Sequence, residues 1–134
     1  MIKVYEGNYD KNSFYAVMGQ FFAEKQYTKL LPYLENSDNL IWYVCFKDEK
    51  IEAFSTVDIQ HSKINFKDDF FLSDIKYLDE VFDAKFKAIK GINKPMETIN
   101  DKEDILELYQ KYGFQEYRRT TKYVFMRKGI AGDK

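Results

Sequence analysis

Apolar and polar residues alternate from Ile2 to Glu6, with Ile2 and Val4 against Lys3 and Tyr5; this predicts a first strand, ended by Gly7-Asn8. The period then changes. Phe14, Val17, Met18, Phe21 and Phe22 fall on one face of a helix whose start Asp10, Asn12 or Ser13 can cap. Thr28 to Glu35 reads as a second, short helix lined by Leu30, Leu31 and Leu34, with Pro32 in its first turn or distorting it. Three runs rich in aromatic and β-branched residues follow: Leu40 to Lys47, Lys50 to Gln60 and Lys63 to Leu72. In the third, Ile64, Phe66, Phe70 and Leu72 share one face with Asp68, while Asn65, Lys67 and Asp69 point the other way. The loops Asp48-Glu49 and His61-Ser62 are short enough to make these strands antiparallel neighbours.

Ser73 or Asp74 is placed to cap the clearest helix, in which Ile75, Leu78, Phe82, Phe86 and Ile89 make the apolar stripe and Gly91 stands beyond the end. Ile92 to Ile99 predicts a fifth strand, with Pro95 favouring an edge or an irregular start. Asn100 or Asp101 then caps a helix carrying Ile105, Leu108, Tyr109 and Tyr112, which Gly113 stops. Phe114 to Arg119 and Thr121 to Lys128 read as two closing strands, and residues 129–134 as a loose tail. The order is β-α-α-β-β-β-α-β-α-β-β, an α/β (mixed α+β) arrangement around a mixed, mostly antiparallel sheet. Its helical crossover makes the fourth and fifth strands parallel.

Composition narrows the class. With 134 residues, 45% hydrophobic and 18% aromatic, the chain is long and apolar enough for one domain (1–134) with its own core, and a disordered chain is excluded. The single Cys45 excludes an internal disulfide framework and a multi-thiolate metal site, so a reducing, cytoplasmic setting is expected. No apolar run approaches 18 residues, and Lys3 and Glu6 interrupt any secretory leader, so a soluble chain with no membrane partner is expected. The charges are segregated: 9 basic and 15 acidic side chains in residues 1–84, 12 and 7 in residues 85–134. That dipole can steer an anionic ligand toward the C-terminal half, although the net charge of -1 does not favour non-specific nucleic-acid binding.

One local phrase sharpens this. Ile105 through Tyr109 to Gly113-Phe114, ILELYQKYGF, together with the element order, resembles the GCN5-related N-acetyltransferase superfamily, in which a helix-four Tyr precedes a Gly-Phe pair by four residues. Asn100 loosely matches the family's Asn after strand five. Tyr123 to Lys128 resembles its final strand, and Lys47 to Ser55 its turn between strands two and three, with Ala53 where Gly is usual. The resemblance implies transfer of an acetyl group from acetyl-CoA to an amine of a small molecule or protein, with the cofactor lying where strands four and five splay apart. It implies that Tyr109 protonates the departing thiolate, a role suited to a phenol that is protonated at neutral pH. It assigns cofactor binding to Phe71, Leu72, Ser73, Lys76 and Asn100.

The chain departs from the family where phosphate chemistry is most demanding. A pyrophosphate needs several free N–H groups at a helix start and small residues beside them. Here the stretch Phe71 to Asp79 holds no Gly, Ser73 and Asp74 cap the helix themselves, and Asp68, Asp69, Asp79 and Glu80 add negative charge, against Lys76 alone. Either Lys85, Lys87 or Lys90 holds the phosphates from further along the helix, which is awkward because they lie two or more turns beyond its start, or the site has decayed. A non-catalytic protein of the same fold, acting by contact with a protein or nucleic-acid partner through the basic hairpin of Arg118, Arg119, Lys122, Arg127 and Lys128, is the alternative. His61 reads as an exposed turn residue, Glu52 and Asp58 as candidate bases or solvated strand residues. Cys45, Trp42, Tyr43 and Phe46 read as core.

Overall fold

Asp10 begins the first helix by accepting hydrogen bonds from the Asn12 N–H at 3.0 Å and the Ser13 hydroxyl at 2.8 Å. The computed structural model describes residues 1–129, so the tail expected over 129–134 lies, from residue 130 onward, outside the described residues. The elements are β1 (Ile2–Tyr5), α1 (Lys11–Ala23), α2 (Lys25–Thr28), β2 (Leu40–Lys47), β3 (Lys50–Ile59), β4 (Ile64–Phe66), β5 (Asp69–Phe71), α3 (Ile75–Ala88), β6 (Met96–Asn100), α4 (Glu103–Lys111), β7 (Gln115–Arg119) and β8 (Val124–Lys128). The sheet runs β1-β2-β3-β4-β6-β8-β7, and β5 adds to β3 alone. The expected parallel pairing joins β4 to β6, with Ile64 opposite Met96 and Phe66 opposite Thr98; the other pairings described are antiparallel.

Each face of the sheet has its own core. Trp42, Phe54 and Phe70 meet Phe14, Met18 and Phe21 of α1 on one face, a cluster of edge-on and stacked rings. Each such ring contributes roughly 1.5–3 kcal/mol by leaving water. On the other face Tyr43, Ala53, Val57, Ile64 and Phe66 meet Leu78, Val81 and Phe82 of α3 and Ile105, Leu108 and Tyr109 of α4.

Four expectations are corrected. The strand expected over Lys63 to Leu72 is two strands separated by Lys67-Asp68. Asp58 pairs with Asn65 but Ser55 pairs with Asp69, three residues back on β3 against four forward on its partner. That extra residue is a β-bulge, and it reverses which side chains face which core: Ile64, Phe66 and Phe71 pack with α3 and α4, while Phe70 packs with α1. The second helix ends at Thr28 rather than spanning Thr28 to Glu35, because Pro32 bars its preceding residue from helical geometry and supplies no N–H. The strand expected from Ile92 begins at Met96, since Pro95 cannot donate to the ladder; its carbonyl instead accepts from the Ile64 N–H at 2.9 Å. Gly91 is not in the left-handed region, whereas Gly113, at φ +94°, is.

The helix starts also differ in part. Asp74 caps α3, accepting from the Lys76 N–H at 2.9 Å, but α4 takes Lys102 as its N-cap residue, and Asn100 accepts the Lys102 N–H from two residues upstream.

Candidate functional site

The bulge creates a free strand edge. Leu72 donates its N–H to Glu52 and Thr56 donates its N–H to Asp68, so the even-numbered residues of this segment turn their backbone toward β3. By the alternation of an antiparallel ladder, Asp69 and Phe71 turn theirs the other way. On that side β6, paired with β4 only as far as Phe66 and Thr98, has diverged, and β5 has no second strand partner among the described residues. A wedge opens there between β5 and the start of α4. It holds a groove of about 180 Å3 whose walls include Leu31, Phe70, Phe71, Lys102 and Ile105.

Beneath the edge lies a buried ionic cluster. Lys85 of α3, with no exposed surface, donates to the Ser55 hydroxyl at 2.8 Å, the Tyr109 hydroxyl at 3.0 Å and Asp69 Oδ1 at 3.3 Å. The Ser55 hydroxyl in turn donates to Asp69 Oδ1 at 2.6 Å, and Tyr109 donates to Asp69 Oδ2 at 2.6 Å. The three Lys85 protons are all used, and no buried side-chain polar atom lacks a partner among the described residues. Phe82 and Phe66 flank the ammonium, with ring centroids 3.7 and 4.4 Å away.

Burial lowers the Lys85 ammonium to about 8 against the opposing pull of Asp69. Burial and the Asp69 charge raise the Tyr109 phenol well above its ordinary value. The phenol is therefore protonated throughout the physiological range, with its proton directed at Asp69.

Asp68, on the bulge itself, lines a second groove next to the first. Its N–H donates to the Thr56 hydroxyl at 3.0 Å, and that hydroxyl reaches Asp68 Oδ2 at 3.4 Å. Burial, then the neighbouring Asp69, pushes this carboxyl up to about 6. This second groove, of about 370 Å3, shares Leu31, Asp69 and Lys102 with the first and is also lined by residues 29–34, Ile99 and Tyr123.

The residues singled out in the sequence are only partly brought together. Phe71 lines the wedge and Asn100 the neighbouring groove, but Tyr109 has no exposed surface and lies beneath both, its hydroxyl held by Lys85 and Asp69. Leu72 is half exposed, Ser73 donates to Glu52 at 2.8 Å, and exposed Lys76 stands over the Tyr77 ring. Thus the first turn of α3 is satisfied from within, by Asp74 through Lys76 and Tyr77. Lys85, weighed as a phosphate ligand on the helix surface, is corrected to a buried partner of Asp69.

Ser55, Asp68, Asp69 and Lys85 were not singled out as a site. The signal existed for one of them: Lys85, three residues after Phe82 and four before Ile89, falls inside the apolar stripe of α3. His61 is exposed in its turn, and Cys45 is buried beside Glu80. In the closing hairpin Arg119 pairs with Glu116 at 2.8 Å, Arg118 and Arg127 lie over Phe125 and Tyr117, and Lys128 donates to the Tyr112 carbonyl. Among the described residues there is no cluster of metal-ligating side chains and no helix long and apolar enough to cross a membrane.

The sheet order, the parallel pair that diverges and the helix crossing between its strands define the GCN5-related N-acetyltransferase fold. Solved structures bear this out at 11–15% identity. An acyl-CoA N-acyltransferase from Pseudomonas aeruginosa is similar with a TM-score of 0.74 at 11% identity, over 96% of this chain and 98% of that one. ElaA of Escherichia coli is similar at 0.71 and 13%, over 96% and 99%. The N-acetyltransferase PseH of Campylobacter jejuni, solved with acetyl coenzyme A, is similar at 0.59 and 15%, over 98% and 100%. No protein-family model matches the chain, and no curated relative does.

Proposed function

We propose that the protein is an N-acyltransferase that moves an acetyl group from acetyl-CoA to an amine. The observation that carries this reading is the free β5 edge, where Asp69 and Phe71 present backbone N–H and C=O groups to a groove beside α4. Such an edge can pair with an extended amide chain as another strand would, and the acyl-bearing arm of coenzyme A is a chain of that kind. The pyrophosphate does not fit the start of α3, where Asp74 takes the Lys76 N–H on its carboxylate and the Tyr77 N–H on its carbonyl and where Asp79 and Glu80 are acidic. In this reading the donor is held along its amide arm and bound weakly.

The bound thioester supplies the electrophilic carbonyl carbon, to which the amine nitrogen bonds as the carbon–sulfur bond breaks. The chain supplies the proton acceptor and donor. Asp68, with a carboxyl near 6, takes a proton from the incoming amine near neutral pH. Tyr109, one helical turn beyond the groove-lining Ile105 but with no exposed surface, is the phenol that returns a proton to the sulfur, and the packing around it must open for the two to meet. Rotating its O–H away from Asp69 redirects that proton while Lys85 continues to donate to the oxygen.

The reading is tested by isothermal calorimetry with acetyl-CoA together with coenzyme A release in the presence of amines. Saturable binding at millimolar ligand, amine-dependent release and loss of release in a folded Tyr109→Phe variant are expected. A second reading, a non-catalytic protein of this fold that binds a protein or nucleic-acid partner, is favoured by the self-capped start of α3. Absence of binding and of release at millimolar acetyl-CoA selects it.

A further inference from the structure

The groove lined by Asp68, the carboxyl to which the acyl-transfer reading brings the acceptor amine, has an uneven distribution of charge. This inference rests on that reading and concerns what the acceptor looks like. At the wide end three lysines arrive from three separate segments: Lys29 just after α2, Lys102 just before α4 and Lys122 in the turn between β7 and β8. None of the three forms an ion pair among the described residues. Of the other charged groups on the wall, Lys67 pairs with Glu35 at 3.4 Å and also attracts Asp68, Asp69 is committed to Lys85, and Asp101 and Asp68 form no ion pair among the described residues.

Asp68 differs in kind from the rim. It is half-buried on the bulge, the Thr56 hydroxyl reaches only its Oδ2, and its Oδ1 has no hydrogen-bond donor among the described residues. The same wall carries Pro32, Leu34 and Ile99 and the Tyr33 ring, which supply it with apolar surface. A groove of about 370 Å3 lies at the small end of the usual range for small-molecule sites.

From this arrangement we infer that the acceptor is a small primary amine that also carries an anionic group, its amine against Asp68 and its anion among Lys29, Lys102 and Lys122. A carboxylate or a phosphate monoester satisfies the rim equally, so the shared chemistry is an amine and an anion spaced across a short apolar stem.

The test is calorimetry on the full chain without acetyl-CoA, paired with coenzyme A release at saturating acetyl-CoA. The probes are the twenty amino acids and phosphoethanolamine, each against the matching amine that lacks the anion, such as phenylalanine against phenethylamine and phosphoethanolamine against ethanolamine. At least one anionic amine is expected to bind ten-fold or more tighter than its match. That preference should collapse to within about two-fold in Lys29→Ala/Lys122→Ala, and Asp68→Asn, checked for fold by circular dichroism, should weaken both members of the pair. Whether the preferred probe is a carboxylate or a phosphate identifies the source of the anion.

Equal affinity within every pair, no binding of any probe, or a preference that survives loss of the lysines overturns the inference. So does a lysine variant that weakens acetyl-CoA alone, because the rim then belongs to the acyl donor. Binding without acetyl-CoA separates the two claims: selective amine binding with no coenzyme A release defeats the acyltransferase reading and leaves this one standing.

Discussion

The Tyr109 hydroxyl donates to Asp69 Oδ2 across 2.6 Å, joining α4 to β5 at the point where the sheet opens. Tyr109 is 40 residues further along the chain than Asp69, and Lys85 from the intervening helix completes the contact from behind. A buried ion pair of this sort gives little net stability, yet losing one member leaves the other charged and unpaired in an apolar setting.

Lys85→Met is accordingly expected to lower unfolding stability by about 3–5 kcal/mol. Lys85→Met combined with Asp69→Asn should recover part of that loss, because the stranded carboxylate is gone. Urea unfolding of both single variants and the double variant gives the coupling; strictly additive losses would show that the two groups do not act together.

Asp68 predicts a pH dependence of known sign. Its carboxyl titrates near 6 in the folded protein and near 3.9 in the unfolded chain, so between those pH values only the folded protein retains the proton. Stability therefore falls as pH rises from about 4 to 6, and above 6 the ionised group costs up to about 3 kcal/mol. Asp68→Asn should be more stable than the parent at pH 7.5 and lose that advantage at about pH 3.5 in thermal scans. A gap that does not change with pH contradicts the assignment.

The self-capped start of α3 offers a gain of function. Asp74→Gly together with Ser73→Gly frees N–H groups, removes a negative charge and costs only a few tenths of a kcal/mol in capping relative to Asp. Coenzyme A affinity is expected to rise several-fold by calorimetry. An unchanged affinity would mean that the pyrophosphate does not approach this end of the helix.

Cys45 is predicted to be inert. It is 1% exposed, and burial followed by the Glu80 carboxylate pushes its thiol up to about 11. Iodoacetamide at pH 8 should leave the native protein unmodified by mass spectrometry and alkylate it in urea. Modification of the native chain would place the thiol outside the core.

Much of this architecture was readable along the chain because it is written in periods and caps. The stripe from Ile75 to Ile89, the Asp10 and Asp74 caps and the left-handed Gly113 each act within a few residues. The bulge at Lys67-Asp68 was not readable, since an unbroken alternation and an interrupted one differ by a single residue and the choice is made by pairing with β3. That one slip sends Asp69 toward Lys85 and leaves Asp68 on the groove wall, so the polar heart of the site went unseen with it. Lys85 was visible as a cation inside an apolar stripe, but its partners lie on β3, β5 and α4, and only the folded sheet brings them within reach.

The account depends on the exposed edge of β5 receiving the acyl donor. The most direct measurement is a titration of nitrogen-15-labelled protein with acetyl-CoA, following the backbone amides of Asp69 and Phe71. Saturable shifts and slowed hydrogen exchange at these two amides, larger than at Phe70, whose backbone already faces β3, are the predicted result. Amides of Asp69 and Phe71 that stay unmoved at millimolar acetyl-CoA would contradict it.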